Sequence, residues 1–160
     1  RTRCRWRWKR EKVCKMMKSE RKRPVIYLSG PIMDEHEGVA RAWREEAKRL
    51  LGSDFRILDP MRRKFVDRQV DSANEIVEFD LQDVRDADII LVNYSKASIG
   101  TAMEVFYAAH DIGKFVVSFS PLSFEECSPW MVRFSTKILR SLEEACAYIH
   151  EHFGKAVEED

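Results

Sequence analysis

The sequence predicts an α/β fold: a doubly wound, mostly parallel sheet of about five strands flanked by helices. Short apolar runs alternate along the chain with segments of helical periodicity, which is typical of βαβ units. Several of these runs end at turn signals, as at Gly30-Pro31 and Asp59-Pro60. A chain of 160 residues suits one domain and can bury a core without a disulfide or a metal.

The first strand and helix follow from two different periodicities. Residues 25–29 read VIYLS, a short buried run that ends at Gly30. Apolar side chains then recur every three to four positions over 37–51, with charges between them. This spacing predicts a helix that ends at Gly52.

A second strand is predicted over 55–58, where Asp59-Pro60 closes it. Residues 61–71 are polar and basic, and we expect them to pass over the active face as a loop. Ser72 and Glu75 have the spacing of a capping box, which predicts a helix to about residue 85.

The third strand is predicted over 88–92, the most apolar run in the chain (DIILV). A loop over 93–98 leads into a helix predicted from about 99 to 113. Residues 114–119 are again apolar and form the predicted fourth strand.

The last part of the chain begins with residues 120–135, which contain two prolines and are predicted as a long loop. A short fifth strand follows at 137–139. Ser141 and Glu144 form a second capping-box spacing, which predicts a final helix to about residue 153.

Basic residues are concentrated at the start of the chain. Residues 1–23 hold 12 of the 28 Lys+Arg and 2 of the 27 Asp+Glu, a balance of +10, so the remainder has 16 basic and 25 acidic residues, or −9. We predict a disordered leader over 1–23, a folded domain over 24–154 and an acidic tail over 155–160. Alternatives for the leader are a tail that binds nucleic acid or an anionic surface, and translated sequence upstream of a start at Met16 or Met17. The acidic body makes a nucleic-acid-binding domain an unfavoured hypothesis.

Composition also argues against membrane, secreted and metal-binding proteins. No apolar run approaches the ~20 residues of a membrane span. The basic start lacks the apolar stretch of a secretory signal, so a cytoplasmic location is expected. The four cysteines form no CxxC pair and have no histidine at ligand spacing, so we expect no metal site.

Polar side chains are predicted at the carboxyl ends of the strands, where ligands bind in a doubly wound sheet. Glu104 is notable because it lies in an apolar stretch (AMEVFY), where a carboxylate must be paired, hydrogen-bonded or functional. Ordinary structural roles are also open: solvated helix charges for the aspartates, a helix cap for Ser98 and a core position for Tyr27. Taken alone, the residues indicate a ligand site with several carboxylates and no particular reaction. The candidates at this edge are Tyr27, Ser29, Gly30, Asp59, Asp80, Asp83, Ser98 and Glu104.

Four segments together resemble the nucleoside 2-deoxyribosyltransferase family. Residues 26–31 (IYLSGP) are similar to the family's opening YLAGP segment, and residues 74–88 (NEIVEFDLQDVRDAD) to the helix that carries an essential aspartate. Residues 98–108 (SIGTAMEVFYA) are similar to the segment whose glutamate is the nucleophile. Residues 128–130 (SPW) are similar to a loop that a neighbouring subunit inserts into the site. The resemblance implies a flavodoxin- or Rossmann-like fold.

The resemblance also implies an enzyme that breaks the N-glycosidic bond of a deoxynucleoside or deoxynucleotide, without a metal or cofactor. Glu104 would attack the anomeric carbon, and a second nucleobase or water would then release the sugar with net retention. Asp80 would contact and protonate the base, and Tyr27 would hold Glu104. A homodimer or higher homo-oligomer is implied, with sites completed across the interface. The implied substrate-binding residues are Ser29, Gly30, Pro31, Asp59, Asp83, Ser98, Gly100, Ser128, Trp130 and Met131.

Two departures from the family pattern bear on the reaction. Ser98 stands where transferases often carry an aspartate, and with Ser128 it resembles the branch that hydrolyses 2'-deoxynucleoside 5'-monophosphates. Against hydrolysis, Asp34 and Glu35 follow the first strand and would repel a phosphate. We therefore expect a transferase, with a nucleotide hydrolase as the alternative. A non-catalytic nucleotide-binding protein is a third hypothesis, which the presence of all three expected catalytic residues disfavours.

Overall fold

Five parallel strands form the sheet in the computed structural model, which describes residues 23–33, 35–63 and 72–154. Their order is β2-β1-β3-β4-β5, and every pairing is parallel. The predicted doubly wound parallel sheet is confirmed. The strands are β1 (Val25–Ser29), β2 (Arg56–Leu58), β3 (Ile89–Asn93), β4 (Phe115–Phe119) and β5 (Lys137–Leu139).

Helices cover both faces of this sheet. They are α1 (Glu37–Leu51), α2 (Ala73–Asp86), α3 (Ile99–Phe106), α4 (Pro129–Phe134) and α5 (Leu142–Phe153). The predicted helix over 99–113 changes to a π-helical turn at Tyr107–Asp111. None of the helices described is long and apolar enough to cross a membrane.

The core has two layers because alternate strand residues point to opposite faces. On one face, Ile26, Leu28 and Leu91 pack with α1 and α5. On the other face, Ile90 and Val92 pack with residues of α2 and α3. Cys146, predicted as core, is buried in the first layer.

Two local predictions need correction. Ser72 precedes α2 as expected, but its side chain makes no capping hydrogen bond. Ser141 accepts from the Glu144 amide at 3.3 Å, whereas the Glu144 carboxylate accepts from Arg140 instead of closing the box on Ser141. The helices are therefore correctly placed, but packing of their apolar faces stabilises them more than these caps do.

Residues 120–135 are not the long loop that the prolines suggested. They contain a 3-10 turn at Phe124–Glu126 and the helix α4. Pro129 stands at the first turn of α4, where a proline costs no hydrogen bond and its fixed φ suits a helix.

The strand order places a switch point beside β1. The chain moves from β1 outward to β2 and then crosses back to β3 on the other side of β1. The loops after β1 and β3 therefore leave in different directions and open a crevice at their carboxyl ends.

Candidate active site

A cavity of about 360 Å³ lies at this crevice. The loop after β1, the turn after β2, α2 and the start of α3 all contribute to its lining. Its apolar lining includes Ile32, Met33, Ile76, Val77 and Ile99. Its charged lining residues are Arg63, Asp80 and Glu104. This combination of apolar walls and few charged groups is typical of a small-molecule site.

Glu104, in the second turn of α3, is held by two hydroxyl groups from β1. Tyr27 Oη donates to Oε1 at 2.9 Å, and Ser29 Oγ donates to Oε2. Tyr27 and Ser29 are two positions apart on a strand, so both side chains point to the same face. Both are fully buried. The carboxylate is therefore fixed by neutral donors, with no cation within salt-bridge distance in the described part of the chain.

Burial makes both cavity carboxylates poor acids. Burial raises the pKa of Glu104 to about 7, the charge of Asp80 adds to this, and the Ser29 and Tyr27 hydrogen bonds oppose it. Burial raises the pKa of Asp80 to about 6, with Arg63 opposing and Asp83 adding. The pKa of Tyr27 is raised well above its usual value, first by burial and then by Glu104, so it stays a neutral donor. Near neutral pH the two carboxylates together hold on the order of one proton.

Two arginines in the turn after β2 pair with the aspartates of α2. Arg62 Nη2 contacts Asp83 Oδ1 at 2.7 Å. Arg63 contacts Asp80 Oδ1 at 3.1 Å and Asp83 Oδ2 at 2.7 Å. Asp83 is buried and does not line the cavity, so its expected substrate contact is replaced by this ion pair. The sequence analysis did not single out either arginine, although only Met61 separates them from the Asp59-Pro60 turn.

Asp59 is likewise committed to protein groups. Its carboxylate accepts from the Met61 amide at 2.9 Å and lies 2.7 Å from Lys48 Nζ and 3.6 Å from Arg44 Nε. It does not line the cavity. Arg44 is fully buried and donates to the carbonyl of Gly30 at 2.9 Å, which ties α1 to the loop after β1. The burial of Arg44 could have been predicted from the sequence, because Arg44 falls on the apolar face of α1 with Ala40 and Ala47.

Gly30 is required by close packing. A Cβ at this position would lie 2.7 Å from the Trp43 ring and 3.0 Å from Asn93 Cβ. Gly30 lines the cavity, whereas the next residue, Pro31, is buried behind it. Ser29, expected to touch substrate, instead gives its hydroxyl to Glu104.

The start of α3 supplies the remaining polar lining. Ser98 caps the helix, with its hydroxyl 3.5 Å from the Thr101 amide, and Gly100 lies beside it. Thr101 is buried, and its hydroxyl has no hydrogen-bond partner among residues 23–33, 35–63 and 72–154.

The 128–131 segment lies outside this cavity in the single chain. Ser128 caps α4 by accepting from the Trp130 amide at 3.3 Å. Trp130 is 67% exposed, whereas Met131 is buried in its own chain. Of the two residues expected at a subunit interface, only Trp130 presents its side chain to the surface.

The fold and the cavity define an α/β protein with two poorly acidic carboxylates at the switch point of a parallel sheet. The chain belongs to the nucleoside 2-deoxyribosyltransferase-like family, whose sequence pattern matches residues 23–121. No group of three histidine, cysteine or acidic side chains in the described segments could hold a metal. A comparison with curated protein sequences gave no significant match.

Solved structures share the fold at low sequence identity. The 2-deoxyribosyltransferase of Bacillus psychrosaccharolyticus is 21% identical with a TM-score of 0.61, over 78% of this chain and 91% of that one. A conserved protein from Enterococcus faecalis V583 is 13% identical with a TM-score of 0.60, over 81% and 99%. The CMP N-glycosidase of Clostridium botulinum is 14% identical with a TM-score of 0.53, over 79% and 98%. These similarities confirm the fold, and the family membership places the chain among proteins that act on N-glycosidic bonds.

Proposed function

We propose that the protein is a nucleoside 2-deoxyribosyltransferase that moves 2-deoxyribose between nucleobases through a covalent intermediate on Glu104. The observation that carries this proposal is the Glu104 carboxylate at the cavity, held by Tyr27 and Ser29 on opposite oxygens. A fixed carboxylate suits a reaction whose transition state is positively charged at the sugar, because the anion needs no reorganisation as that charge develops.

The proposed reaction has two steps, and each uses the two carboxylates that line the cavity. Glu104 attacks the anomeric carbon, the bond from that carbon to the base nitrogen breaks, and its electron pair stays on the base. Asp80, which also lines the cavity, gives the departing base a proton. A second base then attacks the same carbon, returns a proton to Asp80 and frees Glu104, so two inversions give net retention.

A product analysis tests this proposal. The purified protein receives deoxyinosine with free adenine in one reaction, and dGMP or dCMP alone in others. Formation of deoxyadenosine is expected, with a loss of about 10³-fold or more in Glu104→Ala. Glu78→Gln, an exposed acid on α2, is the control that keeps activity. Deoxyadenosine formed equally by Glu104→Ala would refute Glu104 as the nucleophile.

One observation favours nucleotide hydrolysis as the second candidate. The Ser98 and Thr101 hydroxyls lie at the amino end of α3, where an anion is favoured by the helix dipole. Glu35, which was expected to repel a phosphate, pairs with Lys96 at 3.6 Å and does not line the cavity. Asp34 lies outside the described residues. Free base and deoxyribose 5-phosphate from dGMP or dCMP would support this activity over transfer.

We also propose a homo-oligomer with sites completed across the interface. Ile99, Met103 and Trp130 are each more than 65% exposed, and Phe106 joins them through ring contact with Trp130 at 6.4 Å. Ile99, Met103 and Phe106 have the i, i+4, i+7 spacing of one face of α3, and clustered apolar surface is typical of interaction sites. Trp130→Glu is expected to give a monomer by light scattering and to lose activity. A wild-type chain that is already monomeric at the assay concentration, and active, would contradict this proposal.

A further inference from the structure

The arginines near the cavity make ion pairs with some of the neighbouring carboxylates and not with others. Arg44 is committed to Asp59 and to two backbone carbonyls. Arg62 contacts Asp83 and the Asp59 carbonyl. Within the described residues, only Arg63 hydrogen bonds to Asp80.

Glu104 has a different environment, since its two contacts are the neutral hydroxyls of β1. An arginine in contact with a carboxylate lowers its pKa by about 1–3 units, more than neutral donors do. The charge on Asp80 also raises the pKa of Glu104, so the two sites compete for a proton. The contact with Arg63 therefore favours Asp80 as the anion and leaves the proton on Glu104.

The other groups that face Asp80 do not reverse this order. They are Arg62 after β2, Asp83 on α2, Glu104 on α3, Arg44 on α1 and Tyr27 on β1. The two further arginines act on Asp80 only through space and lower its pKa, whereas Asp83 raises it. Burial raises the pKa of both carboxylates, and among the described residues the 3.1 Å contact from Arg63 is the direct ion pair that Asp80 has and Glu104 lacks.

We propose that Arg63 is a positioning residue that sets the order in which Asp80 and Glu104 ionise. It keeps the proton on Glu104 until a bound nucleobase separates Arg63 from Asp80. This inference rests on the proposed function. Both side chains line the cavity, so a ligand there can come between them. Once they part, one proton leaves Glu104 and one is taken up by Asp80, with no change in total charge. The result is an ionised nucleophile and a protonated acid only when the substrate is in place.

The first test is a titration of the free protein, which needs no substrate. Carboxyl carbons are labelled with ¹³C, and Asp80→Asn and Glu104→Gln assign the two signals. In the wild type, Asp80 is expected to titrate below Glu104. In Arg63→Gln the Asp80 midpoint rises by more than about one pH unit, which carries it past the Glu104 midpoint and reverses the order. Arg63→Lys keeps the wild-type order, since it retains a cation.

Arg62→Gln is the matched control. It removes the same charge one position away, from a residue that contacts Asp83 and not Asp80. It is expected to keep the wild-type order. An unchanged order in Arg63→Gln, or an equal reversal in Arg62→Gln, would overturn the proposal.

The second test is the pH profile of kcat/KM. In Arg63→Gln the acid limb moves up by about one pH unit, because it follows the lower of the two ionisations, which is that of Asp80 in the wild type and that of Glu104 in the variant. A lower rate with no movement of the limb would show a merely structural role and overturn the proposal. The two failures are distinguishable: a wild type inactive on every substrate refutes the proposed function, while the titration still tests Arg63.

Discussion

Replacement of Glu104 by glutamine should make the protein more stable at neutral and higher pH, and should abolish its proposed chemistry. The native pKa of about 7 means that the folded state binds this proton more tightly than the unfolded chain does. Stability from this group is therefore fully present below the unfolded pKa of about 4.5 and is lost as the pH rises through 7. The glutamine variant carries no charge to bury, so it avoids that loss.

The magnitude follows from the difference between the two pKa values. A shift from 4.5 to about 7 corresponds to about 3 kcal/mol, at about 1.4 kcal/mol for each unit. Glu104 borders the cavity and is partly exposed, so solvent screening lowers the expected effect to about 2 kcal/mol. The Tyr27 and Ser29 hydroxyls can also hydrogen bond to an amide, which limits the cost of the substitution.

Urea unfolding at about pH 5 and about pH 8 measures this effect through the midpoint at constant slope. The advantage of Glu104→Gln should be about 2 kcal/mol at the higher pH and should largely vanish at the lower pH. Glu78→Gln makes the same chemical change at an exposed position and should show no such pH dependence. A Glu104→Gln variant that is less stable than the wild type at pH 8, or a gap that does not narrow on acidification, would refute the reasoning.

Two further substitutions test the surroundings of Glu104. Tyr27→Phe removes the 2.9 Å hydrogen bond that favours the Glu104 anion, so the acid limb of the pH profile of kcat, which reports the substrate complex, should move to higher pH, with activity reduced about tenfold. An unmoved limb would argue against the assignment. Gly30→Ala places a methyl group 2.7 Å from the Trp43 ring and should cost about 1–3 kcal/mol in thermal unfolding. Gly100→Ala has nothing within 4 Å of the new carbon and is the control; equal losses in the two variants would contradict the packing argument.

The strands and the long helices could be predicted because their signals are local and repeated. The run VIYLS and the periodicity over 37–51 each agree with the structure to the residue, as β1 and α1. The fourth helix was missed because prolines were taken as helix breakers, whereas Pro129 starts α4. A proline predicts a boundary, and the sequence alone does not say on which side of it the helix lies.

The site was predictable only in part, because the sequence does not show which charged side chains pair with one another. Glu104, Asp80, Ser98, Gly30 and Gly100 line one cavity, because each follows a strand end or faces the crevice from a helix. The counter-ions could not be assigned. Which carboxylate an arginine contacts depends on how the turn after β2 lies against α2, and spacing along the chain does not determine that. Asp59 and Asp83 looked like substrate ligands because their partners were unknown.

The support of Glu104 by β1 has a consequence for motion at the site. β1 is an interior strand, and Tyr27 is paired on both sides, with Leu58 and with Ile90. Amides in such a strand exchange with solvent only when the whole domain unfolds, whereas turns and short helices open at much lower free energy. The Tyr27 amide should therefore remain protected in denaturant concentrations at which residues 98–101, at the start of α3, already exchange. Tyr27, which holds the Glu104 carboxylate, would then be the last part of the site to unfold. Residues 98–101, which line the cavity, would be the first.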